Sequence, residues 1–255
     1  MQVPIDCQKS RGGAGLGVPV PAGGTGPSVP AQCYGWQEQV QVVDLSNGGA
    51  KLRGKVALPM DPDGYEGGWG WGGFYYSDWY TLYTTHTEWV DHNSTNQYPT
   101  ARYYLDRIDL TDLKHPKVGS KINVPGVLVG GDASDPTLLY TIDYRWDGDT
   151  SRNDFDVVKV SGDRAYLQSK TAIDGWVGNV IVRGATAYMS SQIYPDKVRT
   201  GQPNIDLHQI DLSNPQHPST VSRATRTGGD GCSTCRATAR WSLRAGAATA
   251  STSTA

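Results

Sequence analysis

Apolar residues in this chain recur at every second position in short runs, and polar or turn residues separate the runs. The first clear run covers 36–44, where Val40 and Val42 alternate with glutamines, and a second follows at 51–58. Further runs occupy 102–110, 138–146, 156–160, 165–173, 179–182, 187–192 and 205–212. A period of two marks a strand with one buried face. Apolar positions at helical spacing are not sustained over any long stretch. The runs are rich in Val, Ile, Tyr, Thr and Trp, which suit a pleated, half-buried surface. The pattern predicts an all-β protein, with two more strands inside 67–89 and a polar loop at 147–154 inside a hairpin.

Three of the runs end on one phrase. It reads VVDLSN at 42–47, RIDLTD at 107–112 and QIDLSN at 209–214. Two copies continue alike, into Lys114-His115-Pro116 and Gln216-His217-Pro218. For a unit of about 40–50 residues, Asp44 to Asp109 spans one unit plus an insertion, and Asp109 to Asp211 spans two. A second phrase occurs as VSGDRAYL at 160–167 and VRGATAYM at 182–189. Each copy predicts a hairpin with its tight turn at Gly. Short strands with this spacing belong to sandwiches, barrels or propellers, and the longer period favours a partial β-propeller of about four blades.

The strand phrase, with Gly-Asp hairpins between its copies, resembles the bacterial secreted β-propeller proteins built from LVIVD-like repeats. The residues that carry the resemblance are 40–47, 105–116, 160–167, 182–189 and 207–218, within 36–224. It implies a propeller fold and an extracellular or periplasmic setting. It supplies no shared catalytic residues. Closed propellers of this kind need more blades than the four units counted, so the resemblance also implies a fragment.

Three segments follow. Residues 1–33 form a Gly/Pro-rich loop or linker, 34–230 hold the blades, and 231–255 form an irregular C-terminal tail expected to be disordered. The tail has a specific explanation. Back-translated with GC-rich codons and read from the third base of the Gly231 codon, it can encode LLDLQGDRALVSAGWGGHGIDVY. That string contains the hairpin phrase and then a new strand. The tail is therefore expected to be an out-of-frame product.

Composition narrows the partners. Net charge is −2 over 255 residues, with no basic block, which argues against a nucleic-acid partner. No run approaches the ~18 apolar residues of a membrane span. Residues 1–30 lack the apolar centre of a signal peptide. The 31 glycines and 15 prolines suit a fold with many turns.

Candidate chemistry lies in several places. Trp69, Trp71, Tyr75, Tyr76 and Trp79 form an aromatic, Gly-rich segment. Exposed rings of this kind stack on sugars or protein side chains, and buried ones pack between blades. Asp147 and Asp149 alternate and, with Asp154, offer carboxylates for calcium, the one candidate cofactor, although Arg152 stands where an EF-hand loop needs Gly. Asp61, Asp63, Asp132 and Asp135 are partial matches that also read as turns. Cys7 and Cys33 flank the N-terminal loop, either as a disulfide or as two unrelated thiols. Cys232 and Cys235 read as half a zinc site or a redox pair, which the shifted frame makes accidental. No HExxH or Gly-x-Ser-x-Gly motif occurs, and His115 and His217 sit in matching turns. The sequence thus predicts a non-enzymatic binding or scaffold module of the cell envelope or exterior, with a glycan or protein partner. The alternatives are a glycan-active propeller enzyme that uses the aromatic segment as substrate platform, and a truncated, non-functional reading frame.

Overall fold

The computed structural model describes residues 2–5, 33–59, 75–76, 78, 80–90, 100–147, 150–194 and 203–226. Strands β1 (Gln2–Ile5) and β2 (Cys33–Trp36) pair with each other, Ile5 opposite Cys33. Strands β3 (Gln39–Asp44) and β4 (Lys51–Ala57) form a two-stranded hairpin. The next sheet holds β5 (Tyr75–Tyr76), β6 (Thr81–Val90), β7 (Thr100–Asp109), β8 (Lys117–Val118) and β9 (Ile122–Val124). Both β8 and β9 pair with β7, so together they act as one broken fourth strand. A four-stranded meander follows, made of β10 (Val127–Gly131), β11 (Leu138–Asp147), β12 (Thr150–Ser161) and β13 (Arg164–Asp174). The last meander holds β14 (Trp176–Arg183), β15 (Thr186–Ile193), β16 (Asn204–Asp211) and β17 (Ser219–Arg226). Every pairing is antiparallel, and the described residues contain no α-helix.

The sheets from β3 onward pack face to face in chain order. Val40, Val42 and Val56 of the β3–β4 hairpin meet Leu82 and Ile108 of the next sheet. The opposite face of that sheet, with Tyr83 and Leu105, meets Leu139, Val158 and Val160 of the β10–β13 sheet. That sheet turns Tyr140, Ile142, Phe155 and Val157 toward Ala187, Met189 and Ile210 of the last sheet. The core is therefore three successive layers. Alternate strand residues enter neighbouring layers, which is how a period of two buries both faces of a sheet.

First strands meet at one side of the stack. The Tyr75 hydroxyl on β5 donates to the Asp132 carbonyl just past β10, at 2.9 Å. A Cβ on Gly131 would collide with the Tyr75 ring, and a Cβ on Gly130 would sit 3.0 Å from Val182 Cγ2 of β14. Glycine lets β10 lie this close to both neighbours.

The shared phrase closes β3, β7 and β16. Asp44, Asp109 and Asp211 accept the backbone N–H two residues on, from Ser46 at 2.8 Å, Thr111 at 2.9 Å and Ser213 at 2.9 Å. A second turn follows in two copies. Asp112 Oδ1 takes the Lys114 N–H at 2.9 Å, and Asn214 Oδ1 takes that of Gln216 at 3.2 Å. His115 and His217 then donate their backbone N–H groups to the Asp112 and Asn214 carbonyls, each at 3.0 Å. Side-chain carboxylates and amides that bond the backbone two residues on are the reason Asp and Asn end these strands.

Both predicted glycine hairpins form, with Gly162 at φ 62° and Gly184 at φ 54°. They join different places, however. Gly162 links the third and fourth strands of its sheet, and Gly184 links the first and second of the next. The shared phrase marks like turns, not like positions. The loop expected at 147–154 is also shorter than predicted, because β12 starts at Thr150. Asp154 enters the sheet, where Lys170 meets it.

Candidate functional site

Each of the three larger sheets carries a buried polar cluster on the face turned toward the preceding sheet. One pairing recurs in all three. A hydroxyl residue on the second strand stands directly opposite an aspartate on the third: Thr84 and Asp106, Thr141 and Asp156, Ser191 and Asp206. All six are buried.

The first cluster is centred on His86. Its Nδ1 lies 2.5 Å from Asp106 Oδ2, and its Nε2 lies 3.6 Å from Glu88 Oε1. Residues 84, 86 and 88 alternate along β6 and so share one face. The imidazole stacks on Tyr104, centroids 5.4 Å apart, and Lys121 Nζ sits 4.2 Å over the same ring while bonding Glu88. Burial opposes the charged imidazolium, but the Asp106 hydrogen bond and charge, with Glu88, outweigh it and raise the His86 pKa. Burial likewise opposes the Glu88 carboxylate, yet Lys121 and His86 hold its pKa below the ordinary value. The arrangement holds a proton between two carboxylates at a partly accessible imidazole.

The second cluster lies on the β10–β13 sheet. Lys170 Nζ is 3.7 Å from Asp143 Oδ2, 3.1 Å from Asp154 Oδ2 and 3.6 Å from Asp156 Oδ1. The register explains the convergence, since Asp143 opposes Asp154 and Asp156 opposes Lys170. Burial pushes the Asp156 carboxyl up to about 7, against the lowering influence of Lys170 and with the help of Asp143 and Asp154. The ammonium stands where a cation among these oxygens would otherwise stand.

The third cluster joins Ser191 Oγ to His208 Nε2 at 2.9 Å, with Asp206 two residues from His208 on the same face. Residue types match a nucleophile, base and orienting acid, but a nucleophile must reach its substrate. Ser191 is 0% exposed, between two sheets. This hydrogen bond satisfies a core histidine.

The described surface also holds an open depression of about 650 Å³ lined by Asp44, Ser46, Lys51, Arg53, Lys114 and His115. Arg53 already pairs with Asp44, and His115 with Asp112.

Sequence-predicted residues fall as follows. Tyr75 is part-buried between two sheets, with its hydroxyl on Asp132. Tyr76 lies in β5, and Asp147 and Cys33 lie at strand ends, with nothing described of their side chains. Trp69, Trp71, Trp79, Asp149, Cys7, Cys232 and Cys235 lie outside the described residues, as do Asp61 and Asp63 and the whole tail from 231. Asp154 is buried and turned to Lys170. Asp132 and Asp135 accept from the backbone and hydroxyls of Ser134 and Thr137 respectively, so they are turn residues. Among the described residues, no three His, Cys, Asp or Glu side chains are arranged to hold a metal ion. Sequence reasoning missed His86, Asp106, Asp143, Asp156, Lys170, Ser191 and His208. The available signal was polar residues alternating with apolar ones inside a strand, as in Asp154-Phe155-Asp156-Val157.

No protein-family model matches the chain, and no curated protein matches it. No helix among the described residues is long and apolar enough to cross a membrane.

Proposed function

We propose that the chain is a β-propeller module of the cell envelope or exterior that binds a glycan or protein partner without catalysing a reaction on it. One observation carries this reading. Antiparallel meanders stack face to face in chain order, and β10 lies against the first strands of both neighbouring sheets. This stacking supports a propeller, a fold whose loops at the blade ends serve as binding surface. The resemblance to secreted LVIVD-like proteins supports the setting. Two of the buried polar clusters also act on themselves, Lys170 with its three carboxylates and Ser191 with His208.

A second reading, a glycan-active enzyme, is favoured by Glu88 and Asp106, which converge on His86 from two strands. One experiment separates the two. Soluble oligosaccharides are titrated against the protein while Trp fluorescence and reducing-end release are both followed. A saturable fluorescence change without cleavage supports the binding module, and Trp69→Ala or Trp71→Ala should abolish it with thermal stability kept. Cleavage that disappears in Glu88→Gln replaces it with the enzyme. No change with any glycan, together with binding to no protein of an envelope fraction, rejects the reading.

A further inference from the structure

Among the described residues, the stack leaves one face uncovered. In each earlier sheet, the face turned toward the following sheet is buried at its third strand: Leu105 on β7 and Val157 on β12 are both 0% exposed. Leu207 on β16 stands at the same place relative to Asp211 as Leu105 does to Asp109, yet it is 41% exposed. Ile181 and Tyr188, paired across β14 and β15 on the same face, are 53% and 39% exposed. Every second residue of these strands points the other way, into the layer with Met189 and Ile210. The outer face of the β14–β17 sheet is thus built like the covered faces, with nothing described against it. Contiguous exposed apolar residues on one sheet face mark an association surface.

We propose that this face pairs with the same face of a second copy of the chain, as a two-fold, sheet-on-sheet dimer. Continuity with the internal packing is the first argument. A face that alternates with a buried layer in three successive interfaces takes another sheet, and the second copy carries one with the matching apolar row. Charge is the second argument. Arg183 on β14 and Asp211 on β16 both point outward at one end of this face, two strands apart in one register row. An isologous contact presents residue i to j and j to i, so a two-fold can set each arginine against the other copy's aspartate. Between that row and the far end, Tyr188, Ser190, Leu207 and Gln209 are uncharged. The proposal goes beyond the binding role and does not depend on it.

The test is sedimentation equilibrium of the full chain from about 1 to 100 μM, the range in which a weak dimer dissociates. The wild type is expected to be a reversible dimer. Leu207→Lys and Ile181→Lys, each at an exposed position, should weaken dimerisation at least tenfold, while circular dichroism, and Tm measured at concentrations where the wild type is dissociated, stay unchanged. Arg183→Asp should weaken it, and Arg183→Asp with Asp211→Arg should restore it. A monomer throughout the range overturns the proposal, as does an oligomer indifferent to these substitutions. A monomer whose Tm falls on Leu207→Lys overturns it too, because the chain's own residues would then cover the face.

Discussion

Asp156 lies directly across from Lys170 in the β12–β13 ladder, its Oδ1 3.6 Å from the ammonium. Asp143 and Asp154 share the same ammonium. Removing one partner of a buried charge set leaves the others uncompensated, which is the costly change. Lys170→Met should destabilise the protein by about 3 kcal/mol. Lys170→Met with Asp154→Asn and Asp156→Asn should recover a large part of that loss. Urea denaturation of the single and triple variants measures both. Equal losses in the two would show that the cluster is not coupled.

The same aspartate predicts a pH dependence. Its folded pKa is about 7, well above the ordinary 3.8. Between those values the folded state binds more protons than the unfolded one, so stability falls as pH rises from about 4 to about 7 and then levels. His86, whose pKa is also raised, adds a further fall above its ordinary 6.5. Asp44, lowered to about 2 by the Arg53 and Ser46 hydrogen bonds, acts on the acid side, where its contribution is lost as pH drops from 3.8 toward 2. Thermal unfolding across pH 4 to 9 should show the falling limb, and Asp156→Asn should flatten it. A limb of the same slope in that variant would rule out Asp156 as its source.

The strand-end aspartates act independently in separate sheets. Asp109→Ala and Asp211→Ala each remove a charged acceptor from a turn and should each lower the midpoint of unfolding. The double variant should lose the sum, since the sites share no partner. Asn in either position keeps an acceptor and should cost less. Equilibrium unfolding of the five proteins checks this. A double variant no worse than either single one would contradict it.

Those aspartates were the legible part of the fold. Asp-Leu-Ser/Thr after an alternating run is local turn chemistry, and local chemistry is visible in sequence. His86 with Asp106 and Ser191 with His208 were not legible, because each pair depends on a cross-strand register set by residues far apart in the chain. The burial of Asp154, at the end of the acidic run at 147–154, was not legible for a related reason. Asp154 reads as solvent-facing until Lys170, 16 positions later, is placed on the neighbouring strand and on the same face. Tyr75 belonged to a segment with two readings, and its own contacts are those of a packing residue.

That contact gives a further expectation. Gly131→Ala would push a methyl group into the Tyr75 ring and should destabilise by about 1–3 kcal/mol, the usual range for overpacking. Tyr75→Phe keeps the packing, loses the hydrogen bond to Asp132 and should cost about 1 kcal/mol. Differential scanning calorimetry of both variants decides it, and a neutral Gly131→Ala would show that β5 and β10 do not meet there.

The most direct measurement concerns the stacking of successive sheets through their first strands. A Cβ placed on Gly130 of β10 would lie 3.3 Å from the Cβ of Val182 on β14, close to the 3.5–4.5 Å span of a disulfide. With the four native cysteines replaced by serine, Gly130→Cys and Val182→Cys should therefore form an intramolecular disulfide under mild oxidation. The cross-link should be near complete, be seen by mass spectrometry, and leave the circular dichroism unchanged. Thiols that stay reduced in a folded protein, or that link only between molecules, would contradict the stacked-sheet account.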